Sequence, residues 1–444
     1  MTRRVAMISE HASPLALLGG VDAGGQNVYV DAVSRHLGCH GYTADVFTVW
    51  NDQEQPEVTQ LTDTVRVINI AVSNQPQHKD ALWPLMPAFR DGIGDLAARR
   101  GQAYDLIHGN FWMSGWVAAE LRQAWSIPAI EIFHATGMTK RREQGDADTS
   151  PDDRIAVERD IVRRIDHLIA QCPVERDELL ADYGANPACV SLIPSAVDTK
   201  RYRPMPQAAA RASLGLHPDA EIIVYVGRVI PRKDIRNVVR ALARLRGIRQ
   251  ARGEQALPAL VIVGGETTEP DRQATPEIGV LQDLANDLGV GNDVRFVGRH
   301  QPSELYRWYS AADVAVTTPW YEPFGLTPLE AMACGTPVIG SAVGGIGFTV
   351  VDGETGFLVP PRDPVALASR LDLVFGNLGL RRRLGEAGMA RVLHFFSWPR
   401  VGAETAALYD RLLEPPAIRH EANRVIRDSS GVPHRVVRTS GDAR

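Results

Sequence analysis

The segment EIIVYVGRVIPRKDIRNVVRALARL, Glu221–Leu245, holds a complete structural unit. Glu221–Val226 is a short apolar run rich in β-branched residues, which marks a strand buried on both faces. A glycine ends the run, a proline follows, and a helix opens at Asp234. Strand, loop and helix in that order form half of a parallel crossover unit.

The same alternation extends in both directions from this segment. Downstream, strand-like runs occur at Ala259–Val263, Val294–Val297, Val314–Val316 and Pro337–Ile339, separated by helix-like stretches. Upstream, the short runs Arg4–Ile8, Asp45–Val49, Leu106–His108, Ala129–Phe133, Leu168–Ala170 and Val190–Ile193 alternate with longer ones. Those longer runs are Gln26–Leu37, Ser114–Arg122 and Ile155–Ile165. With 444 residues the chain exceeds the size at which one hydrophobic core stops growing. The expected class is α/β, with two doubly wound Rossmann-like domains facing a central cleft. The segment IPSAVDTKRYRP, Ile193–Pro204, reads as the boundary. The first domain is expected over residues 1–195 and the second over 205–395. A C-terminal helix over 396–415 would pack back on the first, with a polar, disordered tail over 416–444.

Composition narrows the function classes. Hydrophobic residues make up 44%, charged residues 23%, and the net charge is -5. No cationic excess points to nucleic acid, and no apolar stretch approaches the roughly 20 residues needed to span a bilayer. The apolar run in MTRRVAMISEHASP is too short for a secretory signal. Cys39, Cys172, Cys189 and Cys334 share no paired spacing and read as buried free thiols. Together these features predict a cytoplasmic protein acting on small molecules, with no nucleic-acid partner and no transmembrane segment.

Three stretches carry candidate chemistry. Gly24 and Gly25 stand directly before the helix-like run at Gln26, where bare backbone and a helix start offer N–H groups to an anion. A plain tight turn reads equally well. The loop lacks the GxGxxG dinucleotide fingerprint, which disfavours a nicotinamide cofactor. His11, Asp22 and Asn27 flank it as ligand contacts or as solvated loop residues. Arg228 follows the strand Glu221–Val226, with Lys233 just ahead of the next helix. Both cations point toward the cleft, where they would neutralise a diphosphate. Arg232 between them reads as a surface residue.

The third stretch, TTPWYEPFGLTPLEAMACGTPVIGSAVGGIGFTV from Thr317, places Glu322 in a loop and Glu330 in a helix. Thr327 reads as the helix N-cap and Glu330 as its capping-box partner, a structural duty compatible with ligand binding. Gly344-Gly345 and the later glycines fit turns beside the same cleft. No metal-binding motif stands in a loop setting, so protein cations would take the role of a divalent ion.

GRVIPRKD at Gly227–Asp234, EPFGLTPLEAMACGTPVI at Glu322–Ile339, and the opening ISEHASPL with DAGGQNVYV resemble the retaining glycosyltransferases of family 4. The resemblance is strongest to the subgroup of sucrose-phosphate synthase and the mycothiol-pathway inositol-phosphate N-acetylglucosaminyltransferase. It implies a GT-B fold, metal-independent hexosyl transfer with retention, and a nucleoside-diphosphate sugar as donor, with no tightly bound cofactor. It further implies that Gly24, Gly25 and Asn27 meet the diphosphate together with Arg228 and Lys233. Glu322 and the Phe324-Gly325-Leu326 backbone would hold the sugar, Glu330 the ribose, and His134 would stand near sugar and acceptor. Arg154 and Lys79 are the implied holders of an acceptor phosphate, with His108 beside the aromatic run NFWMSGW. The acceptor proton would pass to a donor phosphate oxygen, and domain closure would complete the site. ATGMTK after His134 departs from the inositol-phosphate pattern. A nucleotide-sugar epimerase and a non-catalytic nucleotide-sugar binding protein are the alternatives.

Overall fold

The computed structural model describes residues 2–16, 24–52, 54–73, 79–145, 148–254 and 257–414. Two sheets account for the strands among them. The first contains β1 (Arg3–Ile8), β2 (Tyr42–Val49), β3 (Val58–Thr62), β4 (Val65–Ile70), β5 (Leu106–Asn110), β6 (Ala129–Ile132), β7 (His167–Ala170) and β8 (Val190–Leu192). Their spatial order is β3-β4-β2-β1-β5-β6-β7-β8. The second contains β9 (Ile222–Val226), β10 (Ala259–Val263), β11 (Val294–Phe296), β12 (Val314–Thr317), β13 (Val338–Ser341) and β14 (Gly356–Val359), ordered β11-β10-β9-β12-β13-β14. This is the GT-B arrangement of two Rossmann-like units. Every strand pair is parallel except β3 with β4.

Alternation along β1 shows how each sheet is sealed on both faces. Ala6 and Ile8 enter one core with Phe89 and Trp112, while Val5 and Met7 enter another with Tyr29 and Val33. The second sheet is covered likewise: Ile223 and Tyr225 face Val238, Leu242 and Leu245 of the helix Ile235–Ala251, and Ile222 and Val224 face the opposite core. The pattern of apolar runs misses β3, whose residues are half-buried or exposed and largely polar. It also misses β4, a mostly buried strand between β3 and β2, and β14, the short edge strand of the second sheet. Cys172 and Cys334 are buried, but Cys39 is exposed in the turn Gly38–His40, and Cys189 is half-buried.

The chain passes between the halves twice, side by side. Val197 donates its N–H to the Phe396 carbonyl at 3.1 Å and bridges in parallel to Ser397. The following helix, Trp398–Leu413, then lies on the helix Gly25–Leu37, and Val401, Leu408 and Tyr409 complete the core of the first sheet. Among the described residues no helix is long and apolar enough to cross a membrane. The expected tail over 416–444 lies outside the described residues.

Candidate active site

Sheet order determines where a ligand can sit. In the first sheet the chain turns outward in both directions from β1, and in the second from β9. Such switch points leave a crevice at the strand carboxyl ends. The loops after β1, β5, β6, β9 and β12 meet there around one cleft of about 510 Å³. Gly24, Gly25, Asn27, His134, Arg228, Lys233, Glu322, Phe324, Gly325, Leu326 and Glu330 all line it. The cleft joins the two halves closely: a Cβ on Gly25 would stand 3.3 Å from the Leu326 side chain.

Gly24 caps the helix Gly25–Leu37 in extended conformation. The Asn27 carboxamide accepts the Gly24 N–H at 2.9 Å and donates to the Ser13 carbonyl at 3.0 Å. Asn27 therefore staples the glycine loop, and the first amides of the helix are left without intrahelical acceptors. Across the cleft, Pro231–Lys233 form a single tight turn, and Lys233 pairs with the Glu322 carboxylate. Burial lowers the Lys233 ammonium, and Arg232 and Arg228 add to that, against the pull of Glu322. Burial alone would raise the Glu322 carboxyl, but Lys233, Arg232 and Arg228 outweigh it and hold it below the usual carboxylate range. One ionised carboxylate thus stands among three cations, which leaves positive charge for an anionic ligand.

The turn bearing Glu322 depends on two glycines behind it. A Cβ on Gly344 would lie 2.1 Å from the Glu322 carbonyl oxygen, and one on Gly345 2.3 Å from Phe324 backbone. Gly344-Gly345 support the loop from the rear and do not line the cleft. Gly325, at φ 86°, turns the chain into the helix Leu326–Ala333, which starts before Thr327. The expected Thr327 cap and its capping box are therefore absent. Glu330 lies within the helix and accepts from the Tyr309 hydroxyl at 2.7 Å. Burial raises the Glu330 carboxyl, while hydrogen bonds from Tyr309 and Tyr202 oppose the rise.

A family profile described as "Glycosyl transferases group 1" matches residues 206–391, and one for a "Glycosyl transferase 4-like domain" matches residues 24–196. The D-inositol 3-phosphate glycosyltransferase 2 of Catenulispora acidiphila is 37% identical over 420 residues, covering 93% of this chain and 96% of that protein. The chain belongs to the group 1 glycosyl transferases. The D-inositol 3-phosphate glycosyltransferase of Kineococcus radiotolerans is 35% identical to this glycosyltransferase over 433 residues, 95% of this chain and 98% of the relative. Among solved structures, the sucrose-phosphate synthase of Thermosynechococcus elongatus superposes with a TM-score of 0.81 at 35% identity, over 92% of this chain and 99% of the other. Anabaena HepE in complex with UDP and glucose shares the fold at a TM-score of 0.69 and 18% identity, with 92% and 99% covered.

Two expected acceptor contacts of this glycosyltransferase lie behind the residues that line the cleft. His108 is fully buried beneath the helix Trp398–Leu413, bonded through Nδ1 to the Tyr409 hydroxyl at 2.6 Å. Burial pushes its imidazole down to about 3, so it is neutral. Arg154 is a buried strut. It reaches Glu158 at 2.8 Å, Ser150 at 3.1 Å and the Ala135 carbonyl at 2.6 Å, with Phe111 and Trp112 packed on its guanidinium. Helical spacing placed Glu158 one turn after Arg154, and that pairing was the available sequence signal. Lys79 opens the turn Lys79–Leu85, but its side chain and the whole of Asp22 lie outside the described residues.

His134 holds its place in a left-handed backbone conformation, φ 58°. Gln171 bonds its Nδ1 at 2.8 Å, and Asn110 meets its Nε2 at 3.4 Å. Burial first, then His108 and His11, bring its imidazole down to about 3, so a neutral ring faces the cleft. Sequence reading missed Arg232, which lines the cleft and donates to the Tyr321 carbonyl at 3.3 Å. The run Arg232-Lys233 in one turn was its only local signal. Tyr202 and Tyr309, which serve Glu330, are distant in sequence and gave none.

Proposed function

We propose that the chain moves a hexosyl unit from a nucleoside-diphosphate sugar to a small polyhydroxylated, phosphorylated acceptor, with retention at the anomeric carbon. The observation that carries this reading is the cation-rich turn Arg228–Lys233 facing the start of the helix Gly25–Leu37 across one cleft. As the sugar–phosphate bond breaks, negative charge grows on the diphosphate. Arg228 and Lys233, aided by Arg232 and the Gly24 and Gly25 amides, stabilise it where it forms. Glu322, already ionised, accepts from the hydroxyls of the transferred sugar, beside the Phe324-Gly325-Leu326 backbone. Glu330, held by two tyrosine hydroxyls, accepts from the ribose. His134 presents a neutral ring near the sugar.

In this reading residues 1–195 form the acceptor side and residues 205–395 the donor side. The names of the relatives, D-inositol 3-phosphate glycosyltransferase and sucrose-phosphate synthase, support a phosphorylated acceptor. Lys79 remains the candidate for its phosphate, since Arg154 is occupied. A cytoplasmic setting suits four cysteines that are all free thiols.

The test pairs UDP-, GDP- and ADP-sugars with D-inositol 3-phosphate and with unphosphorylated inositol, reading diphosphate release and product mass. Acceptor-dependent release with a product heavier by one glycosyl unit is expected, and proton couplings at the new anomeric centre report retention. Isomerised donor without acceptor would favour an epimerase. Donor binding with no chemistry across the panel would favour a binding protein.

A further inference from the structure

A neutral histidine can carry its proton on either ring nitrogen, and the partners of the two nitrogens decide which. For His134, just after β6, those partners are Asn110, the last residue of β5, and Gln171, the first after β7. The carboxyl ends of three adjacent strands thus meet at one ring. Asn110 is fully buried, and Gln171 keeps only 4% of its surface.

The direction of the Asn110 amide is fixed from behind. Its Nδ2 donates to the Ile8 carbonyl at 3.2 Å and to the His108 carbonyl at 3.3 Å. Two carbonyls can be met only by the N–H end, so Oδ1 is the end that faces His134 Nε2. An acceptor there calls for a proton on Nε2, which leaves the lone pair on Nδ1. Gln171 Nε2 donates to that lone pair at 2.8 Å. The reversed arrangement, with the proton on Nδ1 and the Gln171 amide turned over, would set the Nε2 lone pair against Asn110 Oδ1. Gln171 is itself anchored, since its backbone N–H donates to Glu175 in the helix Pro173–Ala181 at 2.7 Å.

The rest of the surroundings hold the ring in place. Tyr29 packs edge-on against it at 5.0 Å. Burial, with His108 and His11 nearby, keeps it neutral. His11 follows β1, lines the cleft and lies 2.7 Å from Glu10 through its own Nδ1. At 3.4 Å the contact between Asn110 Oδ1 and His134 Nε2 is long for a hydrogen bond. It selects the tautomer and leaves the Nε2–H to a better acceptor entering the cleft.

We propose that Gln171 and Asn110 are positioning residues for the transfer, which together hold His134 as an Nε2–H donor toward the cleft. The inference rests on the reading of the site given above, in which this ring stands near the sugar. A ring fixed in this way gives a hydrogen bond to a sugar oxygen and does not draw a proton from one.

The test is nitrogen-15 NMR of the histidine rings in the full chain, with the His134 signals assigned from their loss in His134→Asn. Initial rates and calorimetric binding of UDP, GDP and ADP accompany it. The wild type should show a bare Nδ1 and a protonated Nε2. Gln171→Glu sets a carboxylate against Nδ1, which should draw the proton there. It should lower kcat/KM for the sugar donor by about 10–10²-fold, with diphosphate affinity unchanged. A wild-type ring protonated on Nδ1 would overturn the proposal. So would a Gln171→Glu protein whose proton moves while kcat/KM stays at the wild-type value. If Gln171→Glu does not fold, Gln171→Met decides: averaged nitrogen shifts with slower turnover are expected, and a wild-type pattern with wild-type rates overturns the proposal. The expected proton pattern in a wild type that turns over no donor would sink the transfer reading and not the assignment of the proton.

Discussion

The two walls of the cleft are built on different principles. The wall from the second half takes its charge from neighbours in sequence: Arg228, Arg232 and Lys233 share one loop, and Glu322 and Glu330 flank one turn. The wall from the first half presents a neutral histidine, a histidine backed by a buried carboxylate, and a glycine loop stapled by Asn27. Its polar groups are held by partners brought together from several strands. Recognising an anion needs only enough correctly signed charge near a strand end. Fixing a tautomer or a ring direction needs particular partners at particular distances, which only the assembled fold supplies.

The comparison would break most completely at Lys233. Lys233→Ala should lower turnover by about 10²–10³-fold while the protein stays folded, because Glu322 keeps Arg228 and Arg232 nearby. Initial rates and a melting curve check this, and unchanged turnover would remove the charged wall from catalysis. Glu322→Gln tests the reverse asymmetry. It leaves a buried ammonium beside two guanidinium groups, so the unliganded protein should lose about 3 kcal/mol. Added nucleoside diphosphate should restore much of the loss in a thermal-shift measurement, and a melting point insensitive to the ligand would count against the assignment.

A subtler contrast concerns Glu175, on the first-half side. Burial, the largest influence, raises its carboxyl to about 7, although the Gln171 N–H pulls the other way. Its folded value lies above the unfolded one, so the folded state binds the extra proton, and stability falls as pH rises from about 4.5 through 7. Glu175→Gln should therefore stabilise the protein by about 1–3 kcal/mol at pH near 8 and be nearly neutral at pH near 5. Denaturant titrations at the two pH values test the sign. The smallest effect belongs to Tyr309→Phe, which removes one hydrogen bond to Glu330 and should raise the donor KM a few-fold, about 1 kcal/mol, with kcat kept. A fall in kcat alone would place Glu330 in chemistry and not in binding.

The same contrast explains what the sequence made legible. Buried parallel strands announce themselves as apolar runs, so β1, β5, β9 and β12, which aim the site loops, were readable. β3 was not, because it is an edge strand with half-exposed polar residues. Lys233 and Glu322 could be placed from their own loops. The burial of Arg154 and His108 was not legible because what encloses them is remote or internal: Ala135 and Ser150 enclose Arg154, and Tyr409, at the far end of the chain, covers His108. Thr327 looked like a cap because a threonine–proline pair commonly starts a helix. Gly325 started it earlier by supplying a backbone angle that no spacing rule reveals.

The paired passage of the backbone at Val197 and Phe396 has a mechanical consequence. A single connecting strand would let one lobe twist and drift about the other, whereas two adjacent ones tied by a hydrogen bond act like the two leaves of a door hinge. Two tied crossings therefore resist twisting of one lobe on the other more than a single crossing would. Trimming the chain before Trp398 would cut one leaf and uncover the apolar underside of the first lobe at the same time.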